Sequence, residues 1–338
     1  MTVSVALATY NGENFVVEQL DSLREQTRRP DEVVIIDDRS TDGTVGIVRE
    51  YIFKHGLDWR LSVAESNSGY KRNFYNCLKA TTGDVVFLCD QDDVWYPQKL
   101  EKIMSVFESD PDCLGVTSSF DMTDKNGDIT VPFTADKRTS NHGLVRMKLK
   151  KGECVEIDAK TVLLNNISPG CTSAYRRSAV EEYLKTSDCT MPHDWELNVV
   201  AAKKNGLRFL NLPLIGYRQH GNNTIGLTPE EEAGFGPLKM TGTVEMRFRV
   251  LHDQQIQADM FTKNMDENDP SQRRFSKRLQ QFCRNRDIIL REKRLWPCFK
   301  NLFLYPNFIK VTAIRFRAVV GDFLYVLKSK FKSKEQEK

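Results

Sequence analysis

Four apolar runs, each closed by a polar or acidic tip and followed by a helical pattern, constrain this chain most strongly. The runs are "VSVALAT", "EVVIIDD", "RLSVAE" and "GDVVFLCD". After the first, Phe15, Leu20 and Leu23 share one helical face. After the second, "STDGTVGIVREYI" places Val45, Val48 and Ile52 on one side, with Ser40 or Thr41 as the cap. A helix near Lys71–Thr81 follows the third run, and Pro97–Glu108 with the strand "CLGVTSS" follow the fourth. Continuous apolar strands alternating with helices predict an α/β fold with a mostly parallel central sheet and helices on both faces.

Ligands of such sheets bind beyond the carboxyl ends of the strands. The polar tips fall there: Thr9-Tyr10-Asn11 after the first run, Asp37-Asp38 after the second, and "DQDD", Asp90 to Asp93, after the fourth. Asp residues cap helices and make turns, which gives the cluster a purely structural explanation. Yet like charges packed this closely repel. A D-x-D pair held at a strand end is also a good ligand for Mg2+ or Mn2+. Convergence of three tips on one edge favours the ligand reading.

From Asp121 to Ser168 the pattern weakens into an irregular, partly antiparallel insertion. "GCTSAYRRSAV" then reads as a strand entering a helix, and "MPHDWELNVVAAKKNG" as a helix with Asp194 near its start and Val199 and Val200 buried. "LRFLNLPLIGYRQHGNN" supplies a further strand or two ending at Arg218 and His220.

Composition removes other classes. No G-x-x-x-x-G-K-[ST] and no G-x-G-x-x-G follows the first strand, so P-loop and dinucleotide fingerprints are absent. No window reaches the roughly 18 apolar residues of a spanning helix, and "MTVSVALATYNG" lacks the basic start of a signal peptide. The eight cysteines contain no C-x-x-C, arguing against structural zinc and for buried, reduced thiols of a cytoplasmic protein. The N-x-S/T sequons at Asn166 and Asn222 then carry no weight. Net charge is +3 but uneven: residues 241–338 hold 21 Lys/Arg against 11 Asp/Glu. Such asymmetry predicts an anionic partner for the tail.

"ALATYNGENFVVEQLDSLREQT", "VVIIDDRSTDGT", "NSGYKRNF", "GDVVFLCDQDDVW" and "MPHDW" resemble an inverting family 2 glycosyltransferase of the GT-A fold, similar to bacterial rhamnosyltransferase-like enzymes of surface polysaccharide synthesis. The resemblance covers about residues 1–225. It implies a GT-A catalytic domain over 1–240, with a nucleotide-sugar half (1–120) and an acceptor half (121–240), and leaves 241–338 as a basic helical extension. It also implies a nucleoside-diphosphate sugar donor, with Thr9, Tyr10, Asn11 and Glu13 around the nucleotide and Asp38 on a base, a pyrimidine by its hydrogen-bond pattern. Asp90 and Asp92 match the D-x-D that meets ribose and metal, Mn2+ or Mg2+. Asp93 supports them, and Asp194 matches the general base.

Several assignments stay open at this point. His220 completes the metal shell or is structural. Arg218, Lys71 and Arg72 pair with the diphosphate or are ordinary surface charges. Trp195 walls the acceptor or belongs to the core, and Asp194 itself could be a cap. The expected acceptor is a saccharide, polyprenyl-linked, at the inner face of the plasma membrane, with rhamnose the first choice of sugar. From Phe308 to Leu327, Ile309, Phe316, Val319, Val320, Phe323 and Leu327 follow helical spacing, with Lys310, Arg317 and Lys328 opposite. Trp296, Phe303 and Tyr305 add aromatics upstream. This helix lies on an anionic membrane as a peripheral anchor, packs back on the protein, or joins a second copy in a homo-oligomer. No nucleic-acid partner is expected. A non-catalytic glycan-binding scaffold and a nucleotidyltransferase are the rival readings; the intact D-x-D with Asp194 disfavours the former, and the absence of a Gly/Arg-rich loop after the first strand disfavours the latter.

Overall fold

A computed structural model describes residues 1–133, 140–145, 147–164, 166–220, 244–265, 267–304 and 316–336. The chain divides into two compact units, Met1–Val162 with Asn166–Thr224, and Leu163–Asn165 with Ile225–Lys338.

The first unit is built on one ten-stranded sheet. Its parallel half is ordered β3 (Arg60–Val63), β2 (Glu32–Asp37), β1 (Val3–Thr9), β4 (Val85–Asp90). Next comes β9 (Ser173–Arg176), antiparallel to β4 on one side and to β6 (Gly115–Thr123) on the other. β6 pairs in parallel with β10 (Leu207–Arg218), and the two-residue β5 (Val94–Trp95) closes the order antiparallel to β10. Short β7 (Ile129–Val131) and β8 (Cys154–Glu156) add antiparallel edges in the insertion.

Side chains of successive strand residues alternate between faces. Val3, Val5 and Leu7 of β1 and Phe87 of β4 therefore enter one core, with Leu20 and Leu23 of α1 (Val16–Arg24), Val48 of α2 (Thr44–His55) and Ile103 and Phe107 of α4 (Lys99–Ser109). Ala6, Val86 and Leu88 face the other core, with Phe74 and Leu78 of α3 (Tyr70–Ala80), Val180 of α6 (Arg177–Thr186) and Leu197 of α7 (His193–Ala202). Helices thus cover both faces, as the strand composition requires.

Local starts and stops differ from the sequence expectation. α2 begins at Thr44, and neither Ser40 nor Thr41 caps it. Ser40 is taken up by Asp37, its hydroxyl donating at 2.6 Å. The Glu13 carboxylate instead accepts the Gly43 N–H at 2.7 Å, where a negative charge suits the helix dipole. α3 runs Tyr70–Ala80, α4 starts two residues after Pro97, and "LRFLNLPLIGYR" is one strand broken by two register shifts rather than two strands.

The second unit contains α8 (Val244–Asn264), α9 (Pro270–Glu292), α10 (Trp296–Leu304) and α11 (Phe316–Gln336). Ile289, Cys298 and Val326 form a small core there. Val319 and Val326 of the expected amphipathic stretch are therefore buried, while Asp322 between them binds Arg286 at 2.6 Å and Arg247 at 2.9 Å. Trp296, Phe299 and Phe303 are exposed. Tyr305, Phe308, Ile309 and Lys310 lie outside the described residues, as does Asn222. Among the described residues no helix is long and apolar enough to cross a membrane.

Candidate active site

Register brings the polar tips together. Thr9 lies opposite Asp37, and Ala8 opposite Asp90, so the ends of β2, β1 and β4 are level. Thr9 Oγ1 donates to Asp37 Oδ2 at 2.8 Å within the core. The loop after β1 is pinned by Gln91: its Oε1 accepts the Tyr10 N–H at 2.8 Å and its Nε2 donates to the Tyr10 carbonyl oxygen at 2.7 Å. Asn11 takes a left-handed backbone (φ 48°), which Asn tolerates, and its Oδ1 accepts the Thr41 N–H at 2.8 Å. The Tyr10 ring remains exposed. Asp38 is buried and accepts N–H groups of Ser68 and Gly69, both at 2.8 Å, which fixes the turn into α3.

The D-x-D-D loop is held from behind. Arg218 is 1 % exposed; its Nε donates to the Asp92 carbonyl oxygen at 2.8 Å, its Nη1 to that of Lys125 at 2.7 Å, and its Nη2 pairs with Glu18. These bonds commit Arg218 to the loop rather than to the open face where the sequence reading placed it. Phe15 supports both Arg218, 5.1 Å from its ring, and His220, stacked at 4.5 Å. His220 Nε2 lies 2.9 Å from Asp92 Oδ2.

Charge is poorly balanced at Asp90 and Asp93. Burial first, then Asp92, Asp93 and Asp194, push the Asp90 carboxyl well above the usual carboxylate range. Burial and Asp92 raise Asp93 to about 7. Asp93 Oδ1 accepts the Arg218 N–H at 3.0 Å, while its buried Oδ2 has no hydrogen-bond partner. Lys99 is fully buried nearby, 3.6 Å from the Trp95 ring centroid, and donates to the Cys171 carbonyl oxygen. Burial lowers its ammonium to about 8.

A 3-10 turn, Gly170–Thr172, leads into β9 and lies against the start of α7. A Cβ on Gly170 would fall 3.1 Å from Asp194 Cβ and 3.1 Å from His193 Nε2, so a larger residue would crowd both. Asp194 is buried, and burial raises its carboxyl; a 2.6 Å hydrogen bond from Asn166 Nδ2 works in the opposite direction. Asn166 is itself oriented by Asn198, whose Nδ2 donates to Asn166 Oδ1 at 3.2 Å. Burial first, then Asp194 and Asp90, push the hydroxyl of Tyr70, at the start of α3, up to about 12. His193 stacks on Phe74 at 3.9 Å, and burial lowers it to about 3, so it is neutral.

The remaining sequence candidates fall differently. Trp195 is buried, its indole N–H donating to the Val162 carbonyl oxygen at 2.6 Å, which makes it core. Lys71 Nζ donates to the Thr190 carbonyl oxygen at 2.5 Å, tying α3 to the segment before α7. Arg72 is exposed over the Tyr75 ring, 5.2 Å from its centroid. Of the proposed metal set, Asp92 and His220 touch each other. Asp90 instead converges with Asp93 and Cys171, whose donor atoms all lie within 4.8 Å of one another. Gln91, Tyr70, Lys99, Asn166 and Cys171 were not singled out from sequence. Lys99 falls within the helix expected over Pro97–Glu108 without a role, and Asn166 is set aside as a sequon.

Residues 4–184 match the family described as glycosyl transferase family 2. An uncharacterized glycosyltransferase of Nostoc sp. is 28% identical over 268 residues, covering 75% of each chain. The dTDP-rhamnosyl transferase RfbG of Shigella flexneri is 28% identical over 233 residues, 65% of this chain and 73% of that one. Among solved structures, TarS 1–349 of Staphylococcus aureus with UDP-GlcNAc superposes at TM-score 0.53 and 19% identity, covering 96% of this chain and 81% of that one. The mannosyltransferase PcManGT of Pyrobaculum calidifontis, with GDP-Man and Mn2+, gives 0.52 and 18%, covering 97% and 79%. With the family matched over more than half its length and the GT-A fold in place, the chain belongs to glycosyl transferase family 2 and is a glycosyltransferase.

Proposed function

We propose that the protein transfers a hexose from a nucleoside-diphosphate sugar to a saccharide hydroxyl with inversion, assisted by Mn2+ or Mg2+. The observation that carries this reading is the placement of buried Asp194 within electrostatic reach of Asp90, with Tyr70 sensing both. One carboxylate group is suited to a cation and the other to a proton.

Asp194 accepts the proton of the acceptor hydroxyl. That oxygen forms a bond to the anomeric carbon on the face opposite the leaving group, and the bond to the diphosphate oxygen breaks. A base works best with its pKa near the operating pH, and burial moves Asp194 in that direction. Asn166 keeps the accepting oxygen oriented.

The donor set fits a divalent ion: Asp90 and Asp92 are neighbouring carboxylates that repel, and burial, then this repulsion, raises the Asp90 carboxyl. Asp90 and Asp92, with His220 beside Asp92, would hold it. It would offset negative charge developing on the diphosphate. Thr9, Tyr10, Asn11 and Asp38 line the sheet edge where the nucleotide binds, the Tyr10 ring being free to cover a base. Glu13 acts indirectly by capping α2.

The similarity to a dTDP-rhamnosyl transferase supports dTDP-rhamnose as donor. The tail's +10 balance and exposed Trp296, Phe299 and Phe303 support attachment to an anionic membrane, on the cytoplasmic face where a polyprenyl-linked acceptor would be met. The test is nucleoside diphosphate release from a panel of sugar donors with and without Mn2+. Release that needs both one donor and the metal supports the reading, and no release with any donor and a saccharide acceptor refutes it.

A further inference from the structure

We propose that Cys171, Asp93 and Asp90 form a second, sulfur-containing cation site that selects Zn2+ or Co2+ over Mn2+ and Mg2+. The donor atoms of the three residues all lie within 4.8 Å of one another. Cys171 and Asp93 are buried, at 0% and 1% exposure. Asp93 Oδ2 has no hydrogen-bond partner among strong donors, and the Cys171 thiol interacts with the Asp93 carboxylate only as a weak one. A buried carboxylate oxygen left in this way is a strong demand for a cation.

The chemistry of the set separates it from the donor-site metal. Mg2+ and Mn2+ prefer oxygen donors, whereas Zn2+ and Co2+ accept thiolate as well. Zn–S and Zn–O bonds of about 2.3 and about 2.0 Å put tetrahedral donors roughly 3.5 Å apart, so side-chain adjustments on the order of 1 Å close the set. Binding converts the Cys171 S–H to a metal thiolate and releases its proton to solvent. Two carboxylates and one thiolate then face the divalent ion and Lys99, whose ammonium binds the Cys171 carbonyl oxygen, and the charges sum to zero.

The turn that carries Cys171 also packs Gly170 against Asp194. Drawing Cys171 toward a metal therefore also moves the turn that borders Asp194. The set shares Asp90 with the donor site, so the two cations are coupled through that carboxylate. This last point rests on the donor-site reading above; the existence of the sulfur site does not.

Co2+ is the probe, because a thiolate-to-cobalt charge-transfer band in the near ultraviolet reports sulfur ligation without any substrate. The full-length metal-free protein titrated with Co2+ develops this band, and stoichiometric Zn2+ abolishes it. Cys171→Ser and Cys171→Ala lose the band and bind Zn2+ at least about tenfold more weakly, while melting as the wild type does. Asp92→Asn keeps the band, since Asp92 is outside the set. Absence of the band in the wild-type protein overturns the proposal. So does its persistence in both folded Cys171 variants, which would assign it to another of the eight cysteines.

Discussion

Replacing Asp194 by Asn separates proton transfer from everything else the site does. The carboxylate is buried, and its Oδ2 accepts from Asn166 Nδ2 at 2.6 Å. An Asn side chain of nearly equal size presents its Oδ1 to the same donor, so the hydrogen bond survives. Burial penalises the charged form of Asp194, and the neutral amide removes that penalty. Asp194→Asn therefore melts at or above the wild-type temperature near neutral pH. Donor affinity is retained, because the nucleotide tips belong to β1, β2 and β4. What disappears is acceptance of the acceptor's proton, worth roughly 100- to 10,000-fold, or about 3–5 kcal/mol on the barrier. The assay is sugar transfer under saturating donor, read with thermal melting and calorimetric nucleotide affinity. A variant that melts normally and transfers within a few-fold of wild type refutes the assignment. One that loses nucleotide affinity as well places Asp194 in the donor site.

Asp92→Asn abolishes metal-dependent nucleotide binding in calorimetry while the protein stays folded; unchanged affinity with Mn2+ removes Asp92 from the metal. Asn166→Ala withdraws the hydrogen bond that lowers the Asp194 carboxyl, so the acidic limb of the kcat/KM profile moves to higher pH. Asp90, Asp93 and Asp194 are all raised in the folded state, so the folded chain holds protons that the unfolded chain releases. Stability of the metal-free protein therefore falls as pH rises from about 4 through the Asp93 value of about 7, and Asp93→Asn flattens the slope in pH-dependent melting. Full-length protein sediments with anionic vesicles, and a variant with Trp296, Phe299 and Phe303 replaced by Ser is recovered less; equal recovery of both points instead to an anchor elsewhere.

The strands of the parallel half were legible because each is an apolar run closed by a polar tip, while their order came only with the structure. Asp90, Asp92 and Asp194 were singled out by the convergence of strand tips and by the family motifs, since Asp at strand and helix ends is otherwise common. The structure adds what has no local signature. β9 enters the sheet between β4 and β6 by long-range pairing that no periodicity encodes. Lys99 falls within an expected helix without a role, yet lies buried against Trp95. Arg218 reads as a phosphate ligand, since nothing in "GYRQHG" reveals that Glu18 and two carbonyl oxygens already claim it. Trp195 follows the base candidate in sequence, but helical geometry turns its indole into the core.

That claim by Arg218 bears on the order in which the molecule is assembled. The bond from its guanidinium to Asp92 spans 126 positions of chain, and the one to Glu18 spans 200. A nascent chain emerges from its N-terminus onward. The β1, β2 and β4 tips can level off early, but the loop carrying Asp92 and Asp93 waits for the end of β10 to leave the ribosome. A released fragment ending near residue 120 would keep the sheet edge and lack the clasp behind the acidic loop. Only a chain that has completed β10 closes that clasp.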